Sequence, residues 1–308
     1  MDRESIDPIP VEVLPPRIPS WLPPLVLAIV AAVAFSTGLP GGFVLDDEFA
    51  ITGNPIVQGE TPVIEAFTKT FWGRPLDTYP PTFRPFATLS FAVDHLIRAD
   101  SALVFHISSL LWYVGLVLAA WAFAQRCVGS VTAWIAIALF AVMPIHVETV
   151  SSLVGRADTM GVLFGVLALL SITPTVSSGM ATKPTRILLA AIAFAAALLC
   201  KENMVVLPVV VALLVEFRRR TYKSLSAARA HVPSLAMFAV LAIYTAVRLR
   251  LQPDVLSGEA ADDVLAGAGV LGFAIDEPTW RNRFEQFLVS IGRVPEANLV
   301  ASLGSQQQ

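Results

Sequence analysis

Three consecutive carboxylates, Asp46, Asp47 and Glu48, stand in the stretch "FVLDDEFAITGNP" (43–55), just after an apolar run that ends at Leu39. A carboxylate beside a bilayer is costly, and neighbouring like charges raise one another's pKa. Such a group can take a proton from an incoming hydroxyl or bind a cation. A plainer use is as a helix cap, with the Asp accepting backbone N–H groups. The stretch alone leaves these readings open.

Polar residues interrupt apolar sequence at two later places. In "AVMPIHVETVSSLVGRADTM" (141–160), Pro144 breaks an apolar run. A helix through the following residues would set Glu148, Ser152 and Arg156 on one stripe at i, i+4 and i+8, with His146 at its start and Asp158 beyond its end. In "LLCKEN" (198–203), Lys201 and Glu202 follow directly on apolar residues. Arg and Lys are the side chains that bind phosphate. The plain alternative is two interfacial ion pairs, Glu148 with Arg156 and Lys201 with Glu202. No spacing of Cys or His suits a metal, and Cys127 and Cys200 set up no disulfide framework.

The elements that must position these residues are membrane helices. The chain has 308 residues, 55% of them hydrophobic and only 15% charged, with a mean hydropathy of +0.68; soluble domains carry about 25% charged residues. Apolar runs at 22–39, 102–124, 131–147, 159–172, 187–200, 204–217 and 232–249 predict an all-α, polytopic protein of about seven transmembrane helices. Residues 1–21 read as a cytoplasmic tail and 22–251 as the membrane domain. The leader before the first run is proline-rich and acidic and is followed by no small-residue cleavage site, so that run reads as a span and not a signal peptide. Residues 252–308 read as a non-cytoplasmic tail. In it, "VLAGAGVLGFAI" (264–275) is too short to cross, and no repeat of about 34 residues is visible.

With the N-terminus inside, the inner loops carry Arg126, Lys183, Arg186, Arg218, Arg219, Arg220, Lys223 and Arg229, and the short outer loops only Arg156 and Lys201. The positive-inside rule favours this choice, which puts every polar knot on the outer face, periplasmic or lumenal. The first outer loop, 40–101, is long. Its segments "VIEAFTKTFWG" (63–73) and "FRPFATLSFAVDHLI" (83–97) are amphipathic and aromatic, and predict interfacial helices covering a cavity.

Taken together, "FVLDDEFAITGNP", "FWG", "FRPFATLSF", "FAVMPIHVETVSSLVGRAD" and "LLCKEN" resemble, in order and spacing, the transmembrane-and-tetratricopeptide-repeat O-mannosyltransferases and their bacterial relatives, within the GT-C glycosyltransferases. The resemblance covers about residues 43–217. It implies a GT-C-like fold and a polyprenyl-phosphate sugar donor, dolichyl-phosphate mannose in eukaryotic members. It also implies transfer to a hydroxyl, protein Ser/Thr among the candidates, on the non-cytoplasmic side. The expected partners are the bilayer, the lipid-linked sugar and a protein acceptor, with no nucleic acid and no cofactor beyond the donor substrate. By its match to the acidic motif of the superfamily, Asp46 is the first candidate for the general base and Asp47 the second. Arg156 and Lys201, with Arg84, are candidates for the lipid phosphate; His146, Glu148 and Glu202 are candidate substrate contacts.

This sequence departs from the pattern at Met143, where members usually have the first His of "HPIH", which puts the His146 contact in question. Relatives also continue into further spans, often followed by helical repeats. A truncated or catalytically inactive homologue is therefore an alternative, as is a protein that binds or transports a lipid-linked precursor. Against a transporter, the charges lie at helix ends and no internal repeat is visible. The topology is directly testable: in intact cells, Gly59→Cys should be labelled by an impermeant thiol reagent. Labelling only after the cells are opened would reverse the orientation and move the polar knots inside.

Overall fold

The structure, a computed structural model, describes residues 19–76, 78, 82–99, 101–178, 182–222 and 230–251, without the side chains of 174–178, 218 and 221–222. The expected N-terminal tail through residue 18, the C-terminal tail 252–308 with its "VLAGAGVLGFAI" segment, and Lys223 and Arg229 lie outside the described residues. The chain divides into two compact units, Met1–Thr245 and Ala246–Gln308. Of the second, only the final turns of one helix, to Leu251, are described.

Nine α-helices are described: α1 Leu22–Ala34, α2 Pro85–Arg98, α3 Ala102–Val128, α4 Ser130–Ala141, α5 Val147–Val150, α6 Arg156–Ser178, α7 Pro184–Cys200, α8 Leu207–Tyr222 and α9 Val232–Leu251. No β-strand occurs among the described residues. Proline sets many of the starts. Pro85 and Pro184 open α2 and α7, and Pro23, Pro208 and Pro233 sit at the second residue of α1, α8 and α9. A first-turn N–H has no intrahelical acceptor, so proline loses nothing there, and its fixed φ suits the helix. Between α3 and α4 a single residue turns the chain: Gly129, at φ 86°, a conformation glycine adopts without strain.

Pro144 does break the third apolar run. α4 ends at Ala141, a 3₁₀ turn covers Pro144–His146, and the axis bends by 54° into α5. A second break follows that the sequence reading did not place. Residues 151–155 leave the helix before α6 starts at Arg156, so Glu148, Ser152 and Arg156 do not share the expected stripe. The second break is tight. A side chain on Gly155 would fall on the Glu148 carbonyl and within 2.7 Å of Thr149 Cα.

Three apolar cores hold the fold. The first joins α1, α3 and α4 through Leu27, Ala31, Tyr113, Val117 and Ala141. The third joins α6, α7, α8 and α9 through Ile172, Phe194, Leu198, Val211 and Met237. The second belongs to the long loop after α1: Ile51, Val57, Phe71 and Phe91 pack with Phe105 of α3 and with Leu153 and Ala157 beside the start of α6. This loop is thus a folded cap with its own core. Inside it Asn54, fully buried, donates to the Ala50 and Phe71 carbonyls and accepts the Ile56 N–H.

Three described helices are long and apolar enough to cross a membrane: Ala102–Val128, 156–173 of α6, and Val232–Leu251; α4 with its bent continuation makes a fourth if that pair is one span. The seven-span expectation is larger than this. Leu22–Gly38 and Pro184–Cys200 are apolar but short, and α8 carries Arg218, Arg219 and Arg220 in its last two turns. α2 is amphipathic as expected. It buries Ala87, Phe91 and Asp94, while Val93, Leu96 and Ile97 stand 56%, 81% and 67% exposed, the pattern of a helix lying in an interface. The segment 63–73 is not the expected helix: after a 3₁₀ turn at Val63–Phe67 the chain folds back at Thr70–Arg74, where the Thr70 N–H donates to the Arg74 carbonyl over 2.8 Å.

Gly155→Ala should lower stability by about 1–3 kcal/mol, the usual cost of forcing a methyl into filled space. Gly42→Ala, where nothing lies within 4 Å of the added carbon, is the control. Equal unfolding midpoints for the two variants would show that the 151–155 break can relax.

Candidate active site

The acidic triplet sits where the chain leaves a strained residue. Leu45, 84% exposed, has φ 50°, and it is the one non-glycine residue in the left-handed region among those described. Bulky residues rarely hold this conformation, and when they do it often marks a functional site. A π-helical turn, Glu48–Thr52, follows, closed by a 2.7 Å bond from the Gly53 N–H to the Glu48 carbonyl. Such turns also concentrate at functional positions.

The three carboxylates have different surroundings. Asp47 is buried, 1% exposed. It accepts the Val44 N–H on one oxygen and the Val154 N–H on the other, each over 3.2 Å. Burial pushes its carboxyl above the usual carboxylate range, and the two N–H bonds pull the other way. It is an acceptor of backbone N–H groups, as the plain reading allowed, but it bridges two loops and caps no helix. Asp46 and Glu48 are exposed. Asp46 lines an open pocket of about 360 Å³ with Phe49, Trp72 and Arg74.

Arg156 is fully buried. Its Nε donates to Ser109 Oγ over 2.9 Å, one terminal nitrogen to Asp94 over 2.5 Å and to Ser90 Oγ over 3.3 Å, and the other to the Phe105 carbonyl over 2.6 Å. The guanidinium also lies 4.4 Å from the Phe91 ring centre. In this arrangement Arg156 ties α6 to α2 and α3 and is no open anion site. Its partner is Asp94, not Glu148; Glu148 is exposed and in no ion pair among the described residues.

Lys201 pairs with Asp158 of α6, not with Glu202, and Asn203 stands 3.5 Å from the same carboxylate. Glu202 takes two bonds from Arg84, over 2.8 and 3.2 Å. Burial works against the Glu202 charge, but those bonds and the nearby cations win and hold its carboxyl below the usual range. Arg84 in turn lies over the Phe71 ring, 5.3 Å from its centre. These two pairs join α6, α7 and the residue before α2 at the end of the bundle that carries the cap. His146 packs apart from them, its ring 4.4 Å from that of Phe140 and 5.5 Å from that of Tyr113.

Sequence reasoning passed over Asp94, His106, Trp72 and Arg74. Asp94 had a readable signal: Ala87, Phe91 and Asp94 follow i, i+4, i+7, so an acid sits on the buried stripe of an amphipathic helix. His106, 5% exposed, lies near Asp47, against the Gly41–Gly42 backbone that leads into the triplet.

The buried pair makes a firm prediction. Arg156→Ala and Asp94→Ala should each destabilise by about 3–5 kcal/mol, because each strands the other's charge. Arg156→Met combined with Asp94→Leu should cost less than either single change. Additive losses in denaturant unfolding would show that the two charges are not coupled.

A sequence profile of the family described as dolichyl-phosphate-mannose-protein mannosyltransferase matches residues 80–246. Human protein O-mannosyl-transferase TMTC4 is 32% identical over 216 residues, which cover 63% of this chain and 29% of the relative. Drosophila melanogaster protein O-mannosyl-transferase Tmtc2 is 36% identical over 192 residues, 60% of this chain and 20% of the relative. Mouse protein O-mannosyl-transferase TMTC1 is 35% identical over 164 residues, 50% and 17%. The chain thus spans less than a third of these relatives' length. No solved structure matches. A profile that takes in α2 through most of α9, and with them the Arg156, Lys201 and Glu202 ties, covers more than half of the chain, which therefore belongs to the dolichyl-phosphate-mannose-protein mannosyltransferase family.

Proposed function

We propose that this protein is a GT-C-type glycosyltransferase that moves a mannose-like sugar from a polyprenyl phosphate to a hydroxyl of a protein acceptor, on the non-cytoplasmic face of its membrane. The observation that carries the reading is the split within the triplet. Asp47 is buried and fixed by two backbone N–H groups, while its neighbour Asp46 faces an open pocket. Asp46 is the general base. It takes the proton of the acceptor hydroxyl as the oxygen attacks the anomeric carbon, and the C–O bond to the lipid phosphate breaks with its electron pair leaving on the phosphate oxygen. A polyprenyl phosphate leaves already ionised, so cations suffice to stabilise it and no proton donor is needed.

Lys201 and Arg84 are the cations assigned to that phosphate. Both are partly exposed and tied to the cap end of the bundle, and Asp158 and Glu202 hold them as counter-ions. Arg156, which the sequence reading also assigned to the phosphate, acts by positioning α2 beneath the pocket loop. Asp47 holds the turn that presents Asp46.

The test is paired substitution. Asp46→Asn should lower the transfer rate by about 10²–10⁴, the usual cost of losing a general base, with an unchanged unfolding midpoint. Asp47→Asn should lower the midpoint, because an amide nitrogen cannot accept the second backbone N–H. Near-normal turnover by Asp46→Asn would end this assignment, and if Asp47→Asn were dead in the same assay the base would move by one residue.

A further inference from the structure

The pocket beside Asp46 presents a guanidinium that has no hydrogen-bond or ion-pair partner among the described residues. Arg74 lines it together with Phe49 and Trp72. Its guanidinium centre lies over the Phe49 ring, 5.8 Å from the ring centre. Among the described residues no carboxylate pairs with it. The Trp72 indole N–H, enclosed and closed to solvent, also has no acceptor among them. The other cations near this end are engaged: Arg84 by Glu202, Lys201 by Asp158, Arg156 by Asp94. Asp46 and Arg74 line the same pocket without forming an ion pair.

Arg74 is exposed, but the backbone that carries it is fixed by the fold. The turn that carries it is closed on both sides: the Arg74 N–H donates to Thr70 Oγ over 3.2 Å, and its carbonyl accepts the Thr70 N–H. Phe71, one residue past Thr70, is fully buried in the cap core and anchors that turn. The Arg74 stem therefore starts from a set point beside the Phe49 ring, and Phe49 lies three residues after Asp46 on the same turn of chain.

We propose that Phe49, Trp72 and Arg74 form the acceptor subsite, and that Arg74 selects acceptor peptides with an acidic residue close to the reacting Ser or Thr. The inference rests on Asp46 being the base, since that puts the acceptor hydroxyl in this pocket. A planar carboxylate matches the open edge of a guanidinium with two parallel bonds. In an extended peptide, side chains two residues apart share a face and stand about 7 Å apart. A hydroxyl and a carboxylate at that spacing reach two sites that are near but not in contact. The aromatic walls give the intervening peptide an apolar surface to lie on.

The full chain in lipid nanodiscs is titrated with fluorescent peptides that share one Ser and differ two residues away: Glu, Gln or Lys. The Glu peptide should bind about tenfold tighter than the Gln peptide, as expected of one charge-assisted contact. Arg74→Gln should reduce that ratio to below twofold, and Arg74→Glu should turn the preference toward the Lys peptide. Asp46→Asn should keep the Glu preference. Equal binding of all three peptides, or a Glu preference that survives Arg74→Gln, would overturn the proposal. So would displacement of the Glu peptide by a short-chain polyprenyl phosphate in the wild type but not in Arg74→Gln, which would assign Arg74 to the donor. Sugar transfer to the same peptides is read separately. An Arg74-dependent preference without transfer would leave the subsite standing and remove the catalytic reading; transfer without preference would do the reverse.

Discussion

The buried guanidinium of Arg156 is the contact on which the polar end of this protein depends. Removing a charge from water costs several kcal/mol even after relaxation, and that cost is met only if every partner is in place. Here the partners come from α2 (Ser90, Asp94, Phe91) and α3 (Phe105, Ser109), while Arg156 itself opens α6. The charge cannot be satisfied by α6 alone, nor by α6 with one neighbour. The three helices must meet, and their meeting place is also the floor of the cap core, since Phe91 and Phe105 belong to both.

That convergence explains how adjacent carboxylates come to differ. With α6 fixed at its first residue, the Val154 N–H two residues earlier is fixed as well, and it is left outside any helix by the break at 151–155. Asp47 fills that need and, with its other oxygen, the need of Val44. Successive residues at a helical start point in different directions. Burying Asp47 therefore turns Asp46 outward, and Leu45 takes the strain of the approach at φ 50°. The strain persists because the chain is tied on both sides of it.

The cations at this end then fall into different roles through geometry and not through residue type. Arg156 is enclosed and does structural work. Arg84 and Lys201 are part-exposed and balanced by Glu202 and Asp158. Arg74 stands at the pocket with an aromatic ring for a neighbour. As the described partners go from a buried acid, through half-buried acids, to none, each cation becomes more available to a ligand.

Much of this was present in the sequence. Composition settled a helical membrane protein; Pro144 predicted the bend that the structure has; the polar knots pointed to one end of the bundle; and the Asp94 position lay on a readable buried stripe of α2. These properties are local, or are sums over many residues, and need no knowledge of what touches what. The pairings needed the tertiary structure. Local spacing suggested Glu148 with Arg156 and Lys201 with Glu202, but each basic residue found an acid far along the chain: Asp94 sits 62 positions from Arg156, Asp158 43 from Lys201, and Glu202 118 from Arg84. The sequence predicted about seven spans, whereas three described helices, or four with the bent pair, are long and apolar enough; helices of 16 and 17 residues such as α8 and α7 fall short of that length. The sequence alone could not separate Asp46 from Asp47. Both have the same side chain on the same turn, and the arrival of Val154 from a distant loop decides which is buried and which is exposed.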